Sequence, residues 1–158
     1  MKKVLILGGS GLVGYTLVRK FKKNGWWVST LTLRREVKEA HETLLLDLSN
    51  VESFNELPDL SAYDLVINTL AITDVKANES RFNQAFTLHV ELSRFLARYS
   101  KKYVYISTVA VYSETLDKKP LKKISLSNWY SKTKFFGEPN SRHLTLRINV
   151  IGLESLTK

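Results

Sequence analysis

A tyrosine and a lysine four residues apart could together transfer a proton. Tyr130 and Lys134 lie in the segment WYSKTKFFGE, and residues at this spacing share one face of a helix. An ammonium group beside a phenol favours the phenolate and lowers the pKa of the phenol, which makes it a better acid or base near neutral pH. A chain with 7 tyrosines contains such pairs by chance, so the pair needs support from its surroundings.

Thr108 could add a hydroxyl group to this pair. It lies in the segment YVYISTVAVYS, just past a predicted strand at 103–107. A hydroxyl at the end of a strand can hydrogen-bond a carbonyl or an alcohol, although an ordinary strand-end threonine gives the same pattern. A hydroxyl, a phenol and an ammonium in this order, at the carboxyl ends of one sheet, predict a proton-transfer site.

The glycine-rich segment VLILGGSGLVG at 4–14 could bind phosphate groups. Gly8, Gly11 and Gly14 follow a short apolar run and precede a helical pattern. Backbone N–H groups and the helix dipole attract a pyrophosphate at such a junction. Gly8 would permit a tight turn, Gly11 the close approach of a ligand, and Gly14 the packing of the helix on the strand. A flexible strand-to-helix junction is the alternative.

Two arginines stand where a bound dinucleotide would place its adenosine ribose. The second predicted strand ends in LTLRRE, which contains Arg34 and Arg35. An acidic residue there would favour NAD, whereas guanidinium groups suit a 2′-phosphate through charge-assisted hydrogen bonds. The segment therefore predicts NADP(H) rather than NAD(H). Two solvated arginines at the start of a loop are the alternative.

Short apolar runs alternate with helical segments along the chain. This pattern predicts an α/β fold with a doubly wound parallel sheet, which is a three-layer α/β/α Rossmann fold in a single domain over 1–158. The apolar runs lie at 4–7, 26–33, 43–48, 64–71, 103–107 and 144–148, and the helices at 12–23 and 80–99. The long helix is predicted from one apolar stripe, formed by Ala85, Leu88, Leu92, Phe95, Leu96 and Tyr99.

Composition excludes several classes of site and leaves the partner open. The absence of cysteine excludes disulfides and thiolate chemistry, and three scattered histidines give no support for a metal site. A net charge of +9 fits nucleic acid, an anionic membrane surface or a phosphorylated small molecule. The lysine-rich segment 113–128 could face an anionic diphosphate or simply be a solvated loop. No apolar run is long enough for a membrane span or a signal peptide, which predicts a cytoplasmic protein.

Six ordered segments resemble the extended short-chain dehydrogenases/reductases. They are LILGGSGLVG, LLLDL, DLVINTLAITDV, YVYISTVAVYS, YSKTKFFGE and LTLRINVIG. Within that family the chain is most similar to the dTDP-4-dehydrorhamnose reductases and related nucleotide-sugar reductases and epimerases. The resemblance covers nearly the whole chain.

The resemblance implies specific roles for residues of this chain. Thr108, Tyr130 and Lys134 would be the catalytic set. Tyr130 would exchange the proton, Lys134 would hold the nicotinamide ribose and tune the tyrosine, and Thr108 would orient the reacting oxygen. The implied cofactor-binding residues are the turn residues Gly8, Ser10, Gly11, Leu12 and Gly14, the adenine neighbours Asp47 and Leu48, and the groove residues Leu70 and Ala71, together with Arg34, Arg35, Tyr130 and Lys134.

The chain departs from the family pattern in three places. His89 occupies a position where the family usually has asparagine, and a satisfied histidine between helices, without a catalytic role, explains it as well as a tolerated exchange. Pro139 is expected to end the helix of Tyr130 early. Family members are also about twice as long because a second domain completes the substrate site, so the resemblance predicts that this domain is essentially absent here.

The sequence thus predicts an NADP(H)-dependent reductase-like protein that acts on a nucleotide-linked sugar, with hydride transfer and Tyr130 as proton donor or acceptor. A second copy or a partner chain could complete the site. The alternatives are a nucleotide-sugar epimerase or dehydratase and a non-catalytic NADP(H)-binding module or subunit. A nucleic-acid-binding domain ranks last because the chain has no recognisable motif for it.

Overall fold

The computed structural model describes residues 1–112, 124–140 and 142–149, which contain one six-stranded parallel sheet. The strands are β1 (Lys3–Leu7), β2 (Trp27–Thr32), β3 (Glu42–Leu45), β4 (Leu65–Asn68), β5 (Tyr103–Thr108) and β6 (Leu144–Ile148). Their order across the sheet is β3-β2-β1-β4-β5-β6. This is the order of a doubly wound sheet and confirms the predicted fold class.

Helices connect these strands. They are α1 (Leu12–Lys23), α2 (Val75–Ser80), α3 (Phe82–Phe86), α4 (Leu92–Tyr99) and α5 (Trp129–Phe136). A π-helical turn, Thr87–Glu91, joins α3 to α4. Within the described ranges, no helix has the length and apolar character needed to cross a membrane.

Alternate residues of β1 face two separate apolar cores. Val4 and Ile6 pack in one core with Val18 of α1, whereas Leu5 and Leu7 pack in the other with residues of α4. All four of these β1 side chains are fully buried. The consecutive apolar run therefore forms a strand that is covered on both faces, as expected of the central strand of a parallel sheet.

The helix predicted at 80–99 is longer and less regular than expected. It begins at Val75, because the Asp74 carboxylate caps the Ala77 N–H at 2.7 Å, and it is interrupted at Arg81. The π turn then adds a residue to one turn of the helix, which rotates the residues after it relative to those before it. Ala85 is buried as predicted, but Tyr99 at the end of the stripe is 50% exposed.

Two glycines in the turn between β1 and α1 have the geometry that the sequence predicts for them. Gly8 has a φ of +86°, which lies in the left-handed region that favours glycine. A Cβ atom at Gly14 would lie 2.1 Å from the Gly8 carbonyl oxygen, so α1 contacts the turn directly through its backbone. The two glycines together fix how α1 leaves the sheet.

Replacing Gly14 by alanine should destabilise the fold by about 2–3 kcal/mol, because the new methyl group must displace the turn. Chemical denaturation of the Gly14→Ala variant measures the loss. Lys20→Ala, at an exposed position of the same helix, is the matched control and should change the free energy of unfolding by less than about 0.5 kcal/mol. Equal stability of the two variants would contradict the close contact.

Candidate active site

A cleft of about 300 Å³ lies at the carboxyl edge of the sheet. Its walls come from the ends of β4, β5 and β6, from the start of α1 and from α5. The residues that line it are Val13, Thr69, Ala71, Thr73, Ile106, Ser107, Thr108, Tyr130, Lys134, Ile148 and Asn149. The fold thus brings together the three predicted catalytic residues, which are separated by up to 26 positions in the sequence.

Several concave surfaces are larger than this cleft but do not contain this chemistry. One of about 740 Å³ lies along the outer side of α1, and one of about 460 Å³ lies between α4 and the segment before β6. Neither is lined by Thr108, Tyr130 or Lys134. Residue chemistry rather than volume therefore identifies the candidate active site.

Lys134 is buried and is held by β5. Its side chain is 2% exposed, and its Nζ donates a hydrogen bond of 2.7 Å to the Ile106 carbonyl oxygen. The ammonium also lies 4.1 Å from the centre of the Tyr105 ring. Burial lowers the pKa of Lys134 to about 7, and the Glu138 carboxylate opposes this shift. Burial therefore destabilises the ammonium relative to the neutral amine.

Tyr130 does not have the lowered pKa that the Tyr–Lys spacing suggested. Burial raises the pKa of the Tyr130 phenol above its ordinary value, and a hydrogen bond with the Thr108 side chain opposes the rise. The Lys134 Nζ donates its hydrogen bond to the Ile106 carbonyl of β5 rather than to the Tyr130 hydroxyl. Thr108 is 9% exposed, and its Oγ1 also accepts a hydrogen bond of 3.1 Å from the Ala110 N–H.

The short helix α5 is anchored at both ends. Asn128 begins it with a capping box, in which its side chain accepts a hydrogen bond from the Ser131 N–H at 2.8 Å. The helix ends at Phe136, three residues before Pro139, so the prediction of an early end is confirmed.

The Glu138 carboxylate ties the end of α5 to two strands. Its Oε1 accepts hydrogen bonds from the Ser107 hydroxyl of β5 at 2.7 Å and from Arg147 Nε of β6 at 2.8 Å. Sequence reasoning missed this pair, since nine positions of loop and strand separate Glu138 from Arg147 and no local pattern links them.

The N-terminus of α1 is suited to an anion. Gly11 is its N-cap, no side chain caps it, and no acidic residue lies in its first turn. Five other helical segments in the described part of the chain have a side-chain cap, supplied by Asn50, Asp59, Asp74, Thr108 and Asn128. The first N–H groups of α1 therefore have no side-chain acceptor, and a pyrophosphate would satisfy them. Ser10 is exposed and Leu12 half-buried beside these groups.

The other predicted cofactor residues follow the neighbouring strands at the same edge. Arg34 and Arg35 are exposed just after β2, which pairs with β1. Asp47 is exposed beyond β3 and accepts a hydrogen bond from the Ser49 N–H at 2.9 Å. Leu48 is 3% exposed and packs in the core.

Two further predictions concern segments beside the cleft. In the loop after β4, the Leu70 N–H donates to Asn68 Oδ1 at 3.0 Å, and Ala71 lines the cleft. The possible diphosphate contact of the lysine-rich segment falls mainly on residues 113–123, which lie outside the described part of the chain.

His89 is a hydrogen-bonded histidine between structural elements, which is one of the two explanations that the sequence allowed. Its side chain is fully buried, does not line the cleft, and has hydrogen-bond partners at both ring nitrogens.

Three solved structures have a similar fold. A hypothetical dTDP-4-dehydrorhamnose reductase from Sulfolobus tokodaii is 25% identical with a TM-score of 0.78, and the match covers 93% of this chain and 55% of that protein. The UDP-Glc/GlcNAc 4-epimerase from Campylobacter jejuni is 21% identical with a TM-score of 0.74, over 93% and 53% of the two chains. MoeE5 in complex with UDP-glucose and NAD is 20% identical with a TM-score of 0.69, over 90% and 51%. The chain spans about half the length of each.

No curated protein matches the chain in sequence. A family profile, that of the NAD dependent epimerase/dehydratase family, matches residues 4–146. This match covers all six strands apart from the first residue of β1 and the last two residues of β6, and it agrees with the resemblance found in the sequence. The chain belongs to the NAD dependent epimerase/dehydratase family.

Proposed function

We propose that the chain is the cofactor-binding part of an NADP(H)-dependent reductase that acts on a nucleotide-linked sugar. The observation that carries this proposal is the cleft in which Thr108, Tyr130 and Lys134 meet at the carboxyl edge of the sheet. Family membership supports a nicotinamide cofactor, and the similar fold of MoeE5 with its UDP-glucose supports a nucleotide-sugar. The likeness to the Sulfolobus protein, a hypothetical dTDP-4-dehydrorhamnose reductase, supports reduction.

The residues at the edge of the sheet fit a dinucleotide. The uncapped first turn of α1 would hold the pyrophosphate, and Arg34 and Arg35 would bind a 2′-phosphate. Lys134 would hydrogen-bond the nicotinamide ribose. When it is bound, the nicotinamide supplies the hydride for the sugar carbon. A second copy of the chain or a partner chain would supply the sugar-binding side.

The protein's own residues would transfer the proton. Tyr130 would give its phenolic proton to the oxygen of the reduced carbon, and Thr108 would donate a hydrogen bond to the same oxygen. Burial disfavours the resulting phenolate, as the raised pKa of Tyr130 indicates. The positive charge of Lys134, in the next turn of the same helix, would offset this cost.

A non-catalytic NADP(H)-binding module is the second candidate. The bond between Lys134 Nζ and the Ile106 carbonyl favours it, because the ammonium donates to β5 rather than to the Tyr130 hydroxyl. Epimerases and dehydratases would use the same tyrosine and lysine. Only the contacts to the sugar would distinguish these two reactions from reduction.

Calorimetric titration should show tighter binding of NADPH than of NADH. Hydrogen bonds to a charged group are worth about 1.5–3 kcal/mol each, so the loss of even one of them in the double variant Arg34→Ala/Arg35→Ala should cost about 10- to 100-fold in NADPH affinity and little in NADH affinity. Lys22→Ala/Lys23→Ala removes the same charge at the far end of α1 and should keep the preference. Equal affinities would contradict the NADP(H) preference, and binding of neither nucleotide would contradict the cofactor proposal.

Tyr130→Phe should still bind NADPH but should reduce a nucleoside-diphosphate 4-ketosugar about 100- to 10,000-fold more slowly, because it lacks the phenolic proton. NADPH oxidation followed by absorbance measures this loss. Tyr99→Phe, half-exposed at the end of α4, is the control and should keep full activity. NADPH binding without turnover by the unaltered protein would instead favour the binding module.

Lys134→Met should be more stable than the unaltered protein near neutral pH, by about 1–3 kcal/mol, because it removes a buried charge. The folded-state pKa of about 7 is below the ordinary 10.5, so the unfolded chain binds more protons between these values and the stability of the unaltered protein rises with pH there. The advantage of the variant should therefore shrink when denaturation is repeated at about pH 9. An unchanged advantage would show that Lys134 is not the titrating group.

A further inference from the structure

His89 contacts both walls of the cleft without lining it. It lies in the π turn between α3 and α4, behind the loop after β4 and beside α5. We propose that His89 is a positioning residue, a neutral cross-link that holds the loop after β4 at a fixed distance from the helix of Tyr130 and Lys134. The proposal rests on the function proposed above, since the two elements that it joins would face the cofactor and the sugar.

The hydrogen bonds of His89 determine its tautomer. Nε2 lies 3.0 Å from the Ile72 nitrogen, and because a backbone N–H can only donate, Nε2 is the acceptor and carries no proton. Nδ1 therefore carries the hydrogen of the neutral ring and donates it to Thr133 Oγ1 at 2.8 Å. The Thr133 hydroxyl in turn donates to the Trp129 carbonyl oxygen at 2.9 Å. These three hydrogen bonds all point in the same direction, from the loop after β4 to α5.

Each end of this series of hydrogen bonds lies next to residues of the cleft. Ile72 stands between Ala71 and Thr73, which both line the cleft, and its carbonyl accepts a hydrogen bond of 2.6 Å from Asn78 Nδ2. Thr133 directly precedes Lys134 and lies one turn after Tyr130. The ring of His89 thus sets the separation of the two walls.

The backbone of His89 is fixed as closely as its ring. Its carbonyl oxygen accepts a hydrogen bond from the Tyr105 hydroxyl at 3.1 Å. A Cβ atom at Gly137 would lie only 1.9 Å from the same oxygen, so the π turn and the end of α5 are in direct backbone contact. With the backbone fixed, a shorter or apolar side chain at this position cannot reach both partners by a shift of the turn.

The surroundings keep the imidazole uncharged. The groups that face it are Lys134 and Tyr130 of α5 and Tyr105 of β5. Burial, together with the charge of Lys134, lowers the pKa of His89 to about 3. A protonated ring would direct an N–H group at the Ile72 N–H, so the neutral form is the one that can join loop and helix.

Three substitutions separate the two ends of the cross-link. His89→Leu removes both hydrogen bonds, His89→Gln can keep an acceptor for the Ile72 N–H, and His89→Asn can keep a donor for Thr133. His41→Leu is the matched control, because His41 Nδ1 also accepts a backbone N–H, that of Val28 at 3.1 Å, but at the opposite edge of the sheet. Of the two hydrogen bonds of the His89 ring, Thr133→Val removes only the one to α5. It replaces His89→Leu as the test variant if that variant does not fold.

The measurements are the NADPH dissociation constant and kcat, taken below the unfolding temperature of every variant. His89→Leu should weaken NADPH binding and lower kcat by about 10-fold or more each, because small displacements of the reacting groups cost that much. His89→Gln and His89→Asn should recover part of the loss, and His41→Leu should stay within about 2-fold of the unaltered protein. If the substitutions lower only the unfolding temperature, His89 is structural and the proposal is overturned.

Amide hydrogen exchange tests the cross-link without the cofactor. In His89→Leu the Ile72 amide and the amides of 130–134 should both exchange about 10-fold or more faster. If exchange at either end is unchanged, the coupling is disproved. If the unaltered protein binds neither nucleotide but the exchange responds as expected, the proposed function fails while the cross-link remains established.

Discussion

Every strand pair in the sheet is parallel, and this constraint determines where the chemistry takes place. Leu7 at the end of β1 is aligned with Leu31 of β2 and Asn68 of β4, and Thr108 at the end of β5 is aligned with Ile148 of β6. The segments that leave these strand ends therefore lie along one edge. The glycine turn, the loop after β4 and Thr108 meet there, although they are far apart in the sequence.

The sequence predicts those parts of the protein that depend on local physics. Consecutive apolar residues predict the buried strands, and the glycine spacing predicts the turn at Gly8, because each of these patterns acts over a few residues. The π turn, the Glu138–Arg147 pair and the bond from Lys134 to Ile106 arise from contacts between distant segments. Helical spacing placed Tyr130 and Lys134 on one face. It could not show that the Ile106 carbonyl of β5 would accept a hydrogen bond from the Lys134 ammonium.

Lys134 illustrates a conflict between stability and function. A methionine of similar length would fill the same space without the desolvation that lowers the pKa of Lys134 to about 7. The hydrogen bond to the Ile106 carbonyl and the Tyr105 ring partly compensate for the buried charge. Retaining such a charge beside Tyr130 is understandable if the charge is used when a ligand binds.

Burial and the nearby charge of Lys134 also keep His89 neutral. Desolvation that already disfavours one cation at Lys134 would disfavour a second even more, and the low pKa of His89 reflects both burial and this neighbour. A neutral imidazole supplies a donor and an acceptor on opposite sides of a rigid ring without adding charge. An ammonium or guanidinium at position 89 could only donate and would leave the Ile72 N–H without an acceptor. The ring is thus a group that can join the two walls while the positive charge stays at Lys134.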